Sequence, residues 1–597
     1  MGALRGVAET ASIGEAWPKS PEAAPWLPPS ELVARDEELL TELHEKLSGG
    51  SIGDHQGYRN DELAARAQPS YTLSQLRDLE RLLKERGTHS IAVPYGMINV
   101  DEEARRIPFV PATETRAAHG DMSEKVYLRD HIQTAWAFME LHQHDPERYS
   151  PEGAMGRNLL LSAFHMLSTN RQLERQQDVI RLRGAATQLQ HPHITLEIAD
   201  LNSEKDLNWR HRQDTQAMMA HLSFQALGSG FISDDDLSDR HRRMLADFVP
   251  YLDACGYPYN DHNSGSWEEN AVPKRTSVTA VQVAALHALL SLVTGDSAKR
   301  FTYLESGWQA HMSGGENTDF VATLDAMIHR GAAVVGRQLP FETPDEEVES
   351  IRYRELDATL VYLLRYNTPD ILASRRTPIG KQGNVCTEQE IVDIIVDRLS
   401  TLVDPVTGGM KRYQRDSYER VNFHTNATQW LIKRIKRHVQ EKSDASGRPV
   451  DLEEKQRLRD ALVPSGREAM WTLPVNQLLA AHAHRTLRLL REQGVAAAEA
   501  SLETTFSVLN QTLGLITGHD EYHIELQPDG STAVAQTPAY RFPESFNTVD
   551  GRHGQRIIAS PHTPLHWSVA MHREGLGILA KAVEQIDLHR AGPPVQG

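Results

Sequence analysis

Cysteine is nearly absent: the 597-residue chain has only Cys255 and Cys386. Two thiols cannot build a disulfide framework or a cysteine-rich metal site. No stretch approaches the roughly 20 consecutive apolar residues of a membrane-spanning helix. The first residues, MGALRGVAETASIGEAWPKS, lack the charged-then-apolar order of a secretory signal. The Met-Gly start does not continue as a myristoylation signal, because neither Ser nor Thr follows at the required position. Positive charge is in deficit: 63 Lys and Arg against 81 Asp and Glu leave a net charge of −18. That balance disfavours nucleic acid or an anionic membrane as a partner. A cytoplasmic protein is expected, and a homo-oligomer is compatible with the composition.

What is present is the composition of an ordinary folded protein, 40% apolar and 24% charged, too apolar for a disordered chain. Length alone suggests about four domains at roughly 150 residues each. The patterning argues for fewer. Residues 1–90 read as a Pro- and Ala-rich arm followed by a helical extension. Its two helices, Glu31 to Leu47 and Thr72 to Arg86, carry Leu at helical spacing. Residues 91–588 are mostly helical after an extended stretch from Ser90 to Pro111, and 589–597 read as a disordered tail. One hairpin is expected where HIEL and STAVAQ flank Gln527-Pro528-Asp529-Gly530.

Six segments are apolar nearly all round: Ile132 to Leu141, Ala217 to Leu227, Val278 to Val293, Leu356 to Leu364, Leu473 to Leu490 and Val569 to Val583. A helix apolar on every side is buried on every side. Between them run amphipathic stretches such as Glu388 to Leu402 and Leu452 to Leu462. Alternation of the two kinds describes inner helices sheathed by outer ones. A stacked solenoid satisfies that pattern, and so does a closed toroid holding the helical part as one domain.

Polar residues stand at the head of each apolar segment. In order they are Tyr127 to Asp130, Trp209 to Asp214 (WRHRQD), Ser266 to Glu269 (SWEE), Arg412-Tyr413 with Asp416-Ser417-Tyr418, Trp471 to Pro474, Phe542 to Phe546, and Pro564 to Ser568. If the inner helices are parallel, these heads share one pit. Aromatic faces beside carboxylates and guanidinium groups suit a sugar, stacking on its C–H face and hydrogen-bonding its hydroxyls. Two carboxyl groups flanking a glycosidic bond are the machinery of glycoside hydrolysis.

The motifs RD after an aromatic, WEE, RYxxDSY, PExF and PLxWSxAM, in this order along the chain, resemble glycoside hydrolase family 15 over roughly Val93 to Ala582. That family comprises the glucoamylases and their bacterial relatives, and phosphorylase kinase regulatory subunits carry a related domain. The resemblance implies an all-α fold, an (α/α)6 toroid, here with an N-terminal helical extension and minor β-hairpin insertions. It implies Glu268 as general acid, with Glu269 beside it binding hydroxyls and helping to raise its pKa. Glu544 would be the general base that activates water on the opposite face of the sugar. Arg129, Asp130 and Arg412 would hold hydroxyls; Tyr127, Trp209, Trp267 and Trp567 would line the subsite. Asp214 joins this set, although WRHRQD has one residue fewer between Trp209 and Asp214 than the family spacing. The pair would invert the anomeric configuration, needing no metal or organic cofactor.

Two readings remain beside hydrolysis of a small α-glucoside: a non-catalytic sugar-binding or regulatory barrel, and a trehalase or transferase variant. The segment TVDGRHGQRIIASPH is longer than the family has between its last two motifs, and reads as a loop that reshapes the pocket. Aromatic residues are only 6% of the chain, which favours a small oligosaccharide over a polymer. The histidines of LHQHD (His142, His144) and HPH (His191, His193) lack an i, i+4 face and an obvious third ligand, and read as solvated or capping groups. KRIKRH (Lys433 to His438) reads as the outer face of a helix.

Overall fold

The computed structural model describes residues 29–47, 58–100, 103–114, 125–186, 190–192, 195–201, 213–259, 265–267, 274–295, 301–311, 319–346, 353–414, 416, 418, 425–446, 454, 458, 468–527, 529, 531–551 and 554–591. The expected arm before residue 29, most of the stretch from Leu452 to Leu462, and residues 592–597 lie outside the described residues.

The chain begins with α1 (Ser30–Leu47) and α2 (Leu73–Glu85). The Thr72 hydroxyl accepts from the Gln75 amide, and the Gln75 side chain reaches back to the Thr72 amide, which fixes the start of α2. An antiparallel hairpin of Tyr95–Val100 and Glu103–Pro108 follows, within the stretch expected to be extended. Helices then alternate between two layers. α3 (Leu128–His144) is sheathed by α4 (Ser150–Leu167). α5 (Gln213–Gly228) is covered by the Phe248–Ala254 helix, with Phe224 and Phe248 packed edge to face. α6 (Thr276–Thr294) pairs with α7 (Phe320–Gln338), and α8 (Val361–Arg365) with α9 (Glu388–Ser400). After α10 (Asn426–Ser446) come α11 (Leu473–Gln493), its cover α12 (Val495–Gly514), and the final helix α13 (His566–Ala591).

The inner helices form a closed ring. α3 packs on α5, α5 on α6, α6 on α8, α8 on α11, α11 on α13, and α13 returns to α3. Closure selects the toroid over the open solenoid: an (α/α)6 ring. α2 packs outside α13, and Leu76, Leu79 and Leu83 join the same continuous core as Val569, Leu576 and Leu579. The residues before 91 therefore supply one of the outer helices. Each fully buried Leu, Ile or Phe of this core contributes about 1.5–3 kcal/mol. Glycine brings α13 close to both neighbours: a Cβ at Gly575 would lie 2.7 Å from Leu479 Cγ, and one at Gly577 would collide with Leu141 and Tyr149. Among the described helices α6 is long and apolar enough to cross a membrane by length and composition, and 72% of that stretch is buried inside the fold.

Three local expectations differ from the structure. The fourth apolar segment is only a 3-10 turn, Ala358–Leu360, and the five-residue α8. Asn367, with φ +52, turns the chain out of the helical path, and Thr368-Pro369 open the next helix, Thr368–Ser374, with proline in its first turn. The stretch read as a loop forms an antiparallel hairpin, Ser545–Gly551 with Gly554–Ala559, joined by Met470–Trp471 as a third strand. Asp550 and Gly551 are the last residues of its first strand, opposite Gln555 and Gly554. Finally, α13 runs to Ala591, three residues into the segment read as tail; neither Gly nor Pro interrupts the sequence between Gly577 and Gly592. The expected hairpin near the C-terminus is present as Tyr522–Leu526 with Thr532–Gln536.

Candidate active site

The heads of the inner helices meet. Arg129 and Asp130 lie buried in the first turn of α3, directly after Tyr127, its half-buried N-cap. Arg129 donates to the Ser266 carbonyl at 2.7 Å and pairs with Asp214 Oδ2 at 3.1 Å, in the first turn of α5. Asp214 Oδ2 also accepts from the Ser266 hydroxyl at 3.1 Å. The one-residue contraction of WRHRQD thus leaves Asp214 inside the site. Both partners of the ion pair are buried, so breaking it costs about 3–5 kcal/mol.

Trp267, nine residues before α6, donates its indole N–H to Asp357 Oδ1 at 2.6 Å. Asp357 is the N-cap of the turn leading into α8, and the same oxygen accepts from the Thr359 amide at 2.9 Å and hydroxyl at 2.8 Å. Asp357 was not among the residues singled out from the sequence. Its signal was an Asp at the second position of the apolar segment Leu356 to Leu364, ahead of the apolar run that begins at Ala358, the pattern of a capping residue.

Arg412 comes from an extended segment clamped between two heads. Its carbonyl accepts from the Ala358 amide at 2.8 Å, and Met410 exchanges backbone hydrogen bonds with Trp471 at 2.8 and 3.0 Å. The guanidinium is bidentate on Asp416, both contacts 2.6 Å. It also lies 4.8 Å from the ring centroids of Trp471 and Tyr418 and 5.2 Å from that of Trp267. Trp267 and Trp471 are themselves 5.5 Å apart. The three rings hold the cation by cation–π attraction, and the bidentate carboxylate fixes its plane.

Glu544 is buried beside the head of α11. Its amide donates to the His562 carbonyl at 2.8 Å, and its carbonyl accepts from the Thr472 amide at 3.2 Å. The next residue, Ser545, is in register with Trp471. Thr472 links α11 to α13 through a 2.9 Å hydroxyl contact with Ser568. The adjacent Trp567, buried in the first turn of α13, stacks with Tyr362 of α8, centroids 6.5 Å apart. Tyr362 is hydrogen-bonded to Ser266; burial raises its phenol, and the charges of Arg129, Asp214 and Asp130 all reach it.

These contacts close a circuit from Arg129 through Ser266, Trp267, Trp471, Thr472 and Trp567 to Tyr362, and back to Ser266. The ring and its shared head end make the inner helices parallel. The structure therefore brings together Arg129, Asp130, Asp214, Trp267, Arg412, Glu544 and Trp567, with Tyr127 at the α3 head. Trp209, Glu268 and Glu269 lie outside the described residues. Tyr362, Asp357, Trp471 and Tyr418 complete the lining. Several polar atoms here are buried without a hydrogen-bond partner among the described residues: Asp214 Oδ1, Asp357 Oδ2, and the indole nitrogens of Trp471 and Trp567. Each such group costs about 1–3 kcal/mol when unsatisfied, and a polyhydroxylated ligand supplies both donors and acceptors.

Behind this lining Glu342 is wholly buried, accepting from the Ser277 amide at 3.0 Å and hydroxyl at 2.6 Å. Burial first, and then the charge of Asp357, raise its carboxyl above the ordinary 4.5. The folded state therefore holds a proton that the unfolded state has released. Stability contributed by this proton is complete at acid pH and is lost as pH rises from the ordinary carboxylate range towards the raised value. From this group alone the loss reaches up to about 1.4 kcal/mol per pH unit. Glu342→Gln keeps the Ser277 contacts and should flatten that slope. Denaturation midpoints of both proteins at pH about 5, 6 and 7 test it; parallel curves reject the assignment.

No family model and no curated protein matches the chain. Among solved structures it is similar to a wild-type glycosidase at 14% identity, covering 85% of this chain and 98% of that one, TM-score 0.43. It is similar to the glucoamylase of Saccharomycopsis fibuligera at 11% identity, covering 87% and 97%, TM-score 0.44. The glucoamylase of Hormoconis resinae gives 11% identity, 85% and 73% coverage, and a TM-score of 0.46. The ring of paired helices stands on its own contacts.

Proposed function

We propose that the protein is an inverting, exo-acting glycoside hydrolase that releases glucose from a small α-glucoside or α-gluco-oligosaccharide. The observation that carries this reading is the buried carboxylate Glu544 beside heads rich in tryptophan and arginine, where polar atoms lack protein partners among the described residues. A sugar answers both features, because its C–H faces stack on indole rings and its hydroxyls satisfy the orphaned atoms.

In this reaction Glu268 gives its proton to the glycosidic oxygen as the bond to the anomeric carbon breaks. Glu544 takes a proton from a water molecule whose oxygen attacks the same carbon from the opposite face. Charge develops on the ring as an oxocarbenium-like transition state, and inversion requires the carboxyls to stand about 6.5–9.5 Å apart. Asp130 and the Arg129–Asp214 pair bind hydroxyls of the terminal glucosyl unit, and Arg412 fixes the indole walls against which the ring stacks. No metal or organic cofactor enters the reaction.

A panel of α-linked glucosides, trehalose included, followed by NMR of the first-formed sugar, tests the proposal. Release of β-glucose from an α-linkage is expected. Release of the attacked glucosyl unit as α-glucose overturns inversion (trehalose should give one glucose of each anomer, because its leaving unit is itself α), and binding without turnover across the panel identifies a sugar-binding barrel. Glucosyl transfer to phosphate or to a second sugar in preference to water identifies the transferase variant.

A further inference from the structure

The other end of the ring holds a second cluster of chemistry-bearing groups. A cavity of about 170 Å³ lies between the later turns of the inner helices, lined by Trp136, Glu140, Arg365, His484 and Arg488 among others. On its wall, ligand atoms of Glu140, His144 and His484 all lie within 4.8 Å of one another. Glu140 and His144 stand at i, i+4 on the last turns of α3, the spacing that puts two side chains on one face. His484 reaches in from α11.

The geometry points to a divalent zinc site formed by Glu140 Oε2, His144 Nε2 and His484 Nδ1, with a fourth position facing the cavity. Glu140 Oε2 is 3.6 Å from His144 Nε2 and 4.0 Å from His484 Nδ1. Tetrahedral zinc with bonds of about 2.1 Å needs ligand atoms about 3.4 Å apart, so small side-chain rotations suffice. The remaining atoms of these ligands are already committed in the sense a metal needs. Glu140 Oε1 accepts from the Trp136 indole N–H at 2.8 Å, which leaves Oε2 for the ion. His484 Nε2 is 2.6 Å from Glu574 Oε1, which leaves Nδ1 for the ion. Glu574 is held in turn by Arg365, at 2.7 and 2.8 Å. A carboxylate behind a ligating imidazole fixes its tautomer and raises its basicity.

Two imidazoles and one carboxylate suit zinc, whereas magnesium and calcium prefer all-oxygen sets. Three of the four arginines lining the cavity are paired with carboxylates, Arg365 with Glu574 and Arg485 and Arg488 with Glu388, while Arg491 donates to the Leu487 carbonyl. The third ligand that the sequence around His144 lacked is supplied by a helix 340 residues away.

Titration of the metal-free full chain with zinc chloride alone, by calorimetry and by metal analysis after dialysis, tests the site. One equivalent is expected to bind and to survive dialysis. H144A and H484A should each abolish saturable binding, and E574Q, which leaves all three ligands in place, should weaken it about 10–100-fold. H329A, an exposed histidine elsewhere, should change nothing. Folding of each variant is checked by circular dichroism; if H484A misfolds, H144A at the helix end and E574Q decide. Absence of saturable binding to the wild-type chain overturns the assignment, and so does full binding by H144A.

Discussion

Glu544→Gln is expected to lower the turnover of an α-glucoside roughly 10²–10⁴-fold, the range supplied by general acid–base catalysis, with the fold unchanged. The two clauses have separate physical causes. The backbone at Glu544 is fixed from both sides, by the amide bond to the His562 carbonyl and by the Thr472 amide on its own carbonyl. Neither contact uses the side chain, and the amide is isosteric with the carboxylate. The rate of the proposed reaction, by contrast, depends on accepting a proton from water, which a neutral amide cannot do at neutral pH. The loss should fall on kcat, with KM little changed, because proton transfer belongs to the transition state. Steady-state kinetics with a far-ultraviolet circular dichroism control measures it, and a kcat within a factor of two of wild type would falsify the role given to Glu544. Glu268→Gln should behave alike, except that substrates with a good leaving group recover more of the rate, since they need less protonation.

The second large effect is on stability. Arg365 and Glu574 form an ion pair that is 2% and 0% exposed, at 2.7 Å. Arg365 also lies 3.8 Å over the Trp136 ring. Arg365→Met keeps the packed stem but leaves Glu574 charged and buried with only His484 Nε2 among its described partners. Breaking a buried pair in this way costs about 3–5 kcal/mol, read as a fall in the chemical-denaturation midpoint. The double replacement R365M/E574L should return most of that loss, because no unpaired charge then remains in the core. If R365M alone is as stable as wild type, the pair does not hold α8 against α13 as the distances imply.

The helical part of this architecture was legible because its signal is local. An inner helix such as Thr276–Thr294 has no charged residue along its length, and burial on all sides follows from that. An outer helix such as Glu388–Ser400 buries Ile391, Val392, Ile395 and Leu399 on one stripe. The heads were legible for a related reason: Asp, Arg and Trp that interrupt an apolar pattern at a helix start stand out against it. The short α8 was not, since the left-handed Asn367 breaks the chain just beyond it and Thr368-Pro369 start a new helix. The hairpin after Glu544 was hidden in a stretch whose length invited a loop; Asp550 and Gly551 stand in its first strand, opposite Gln555 and Gly554.

The sequence by itself determined the layers, the order of the helices and the residues at their heads, since periodicity of 3.6 and capping chemistry are properties of neighbouring residues. The tertiary structure decided what those residues do together. Closure of α13 onto α3 turned a stack into a ring. It also set Trp267 against Asp357, 90 residues away, and Arg412 among three aromatic rings. The same closure assembled Glu140, His144, His484 and Glu574 from three helices at the other end. Such groupings depend on which helix lies beside which, a consequence of burying every apolar face at once, and no local pattern carries that information.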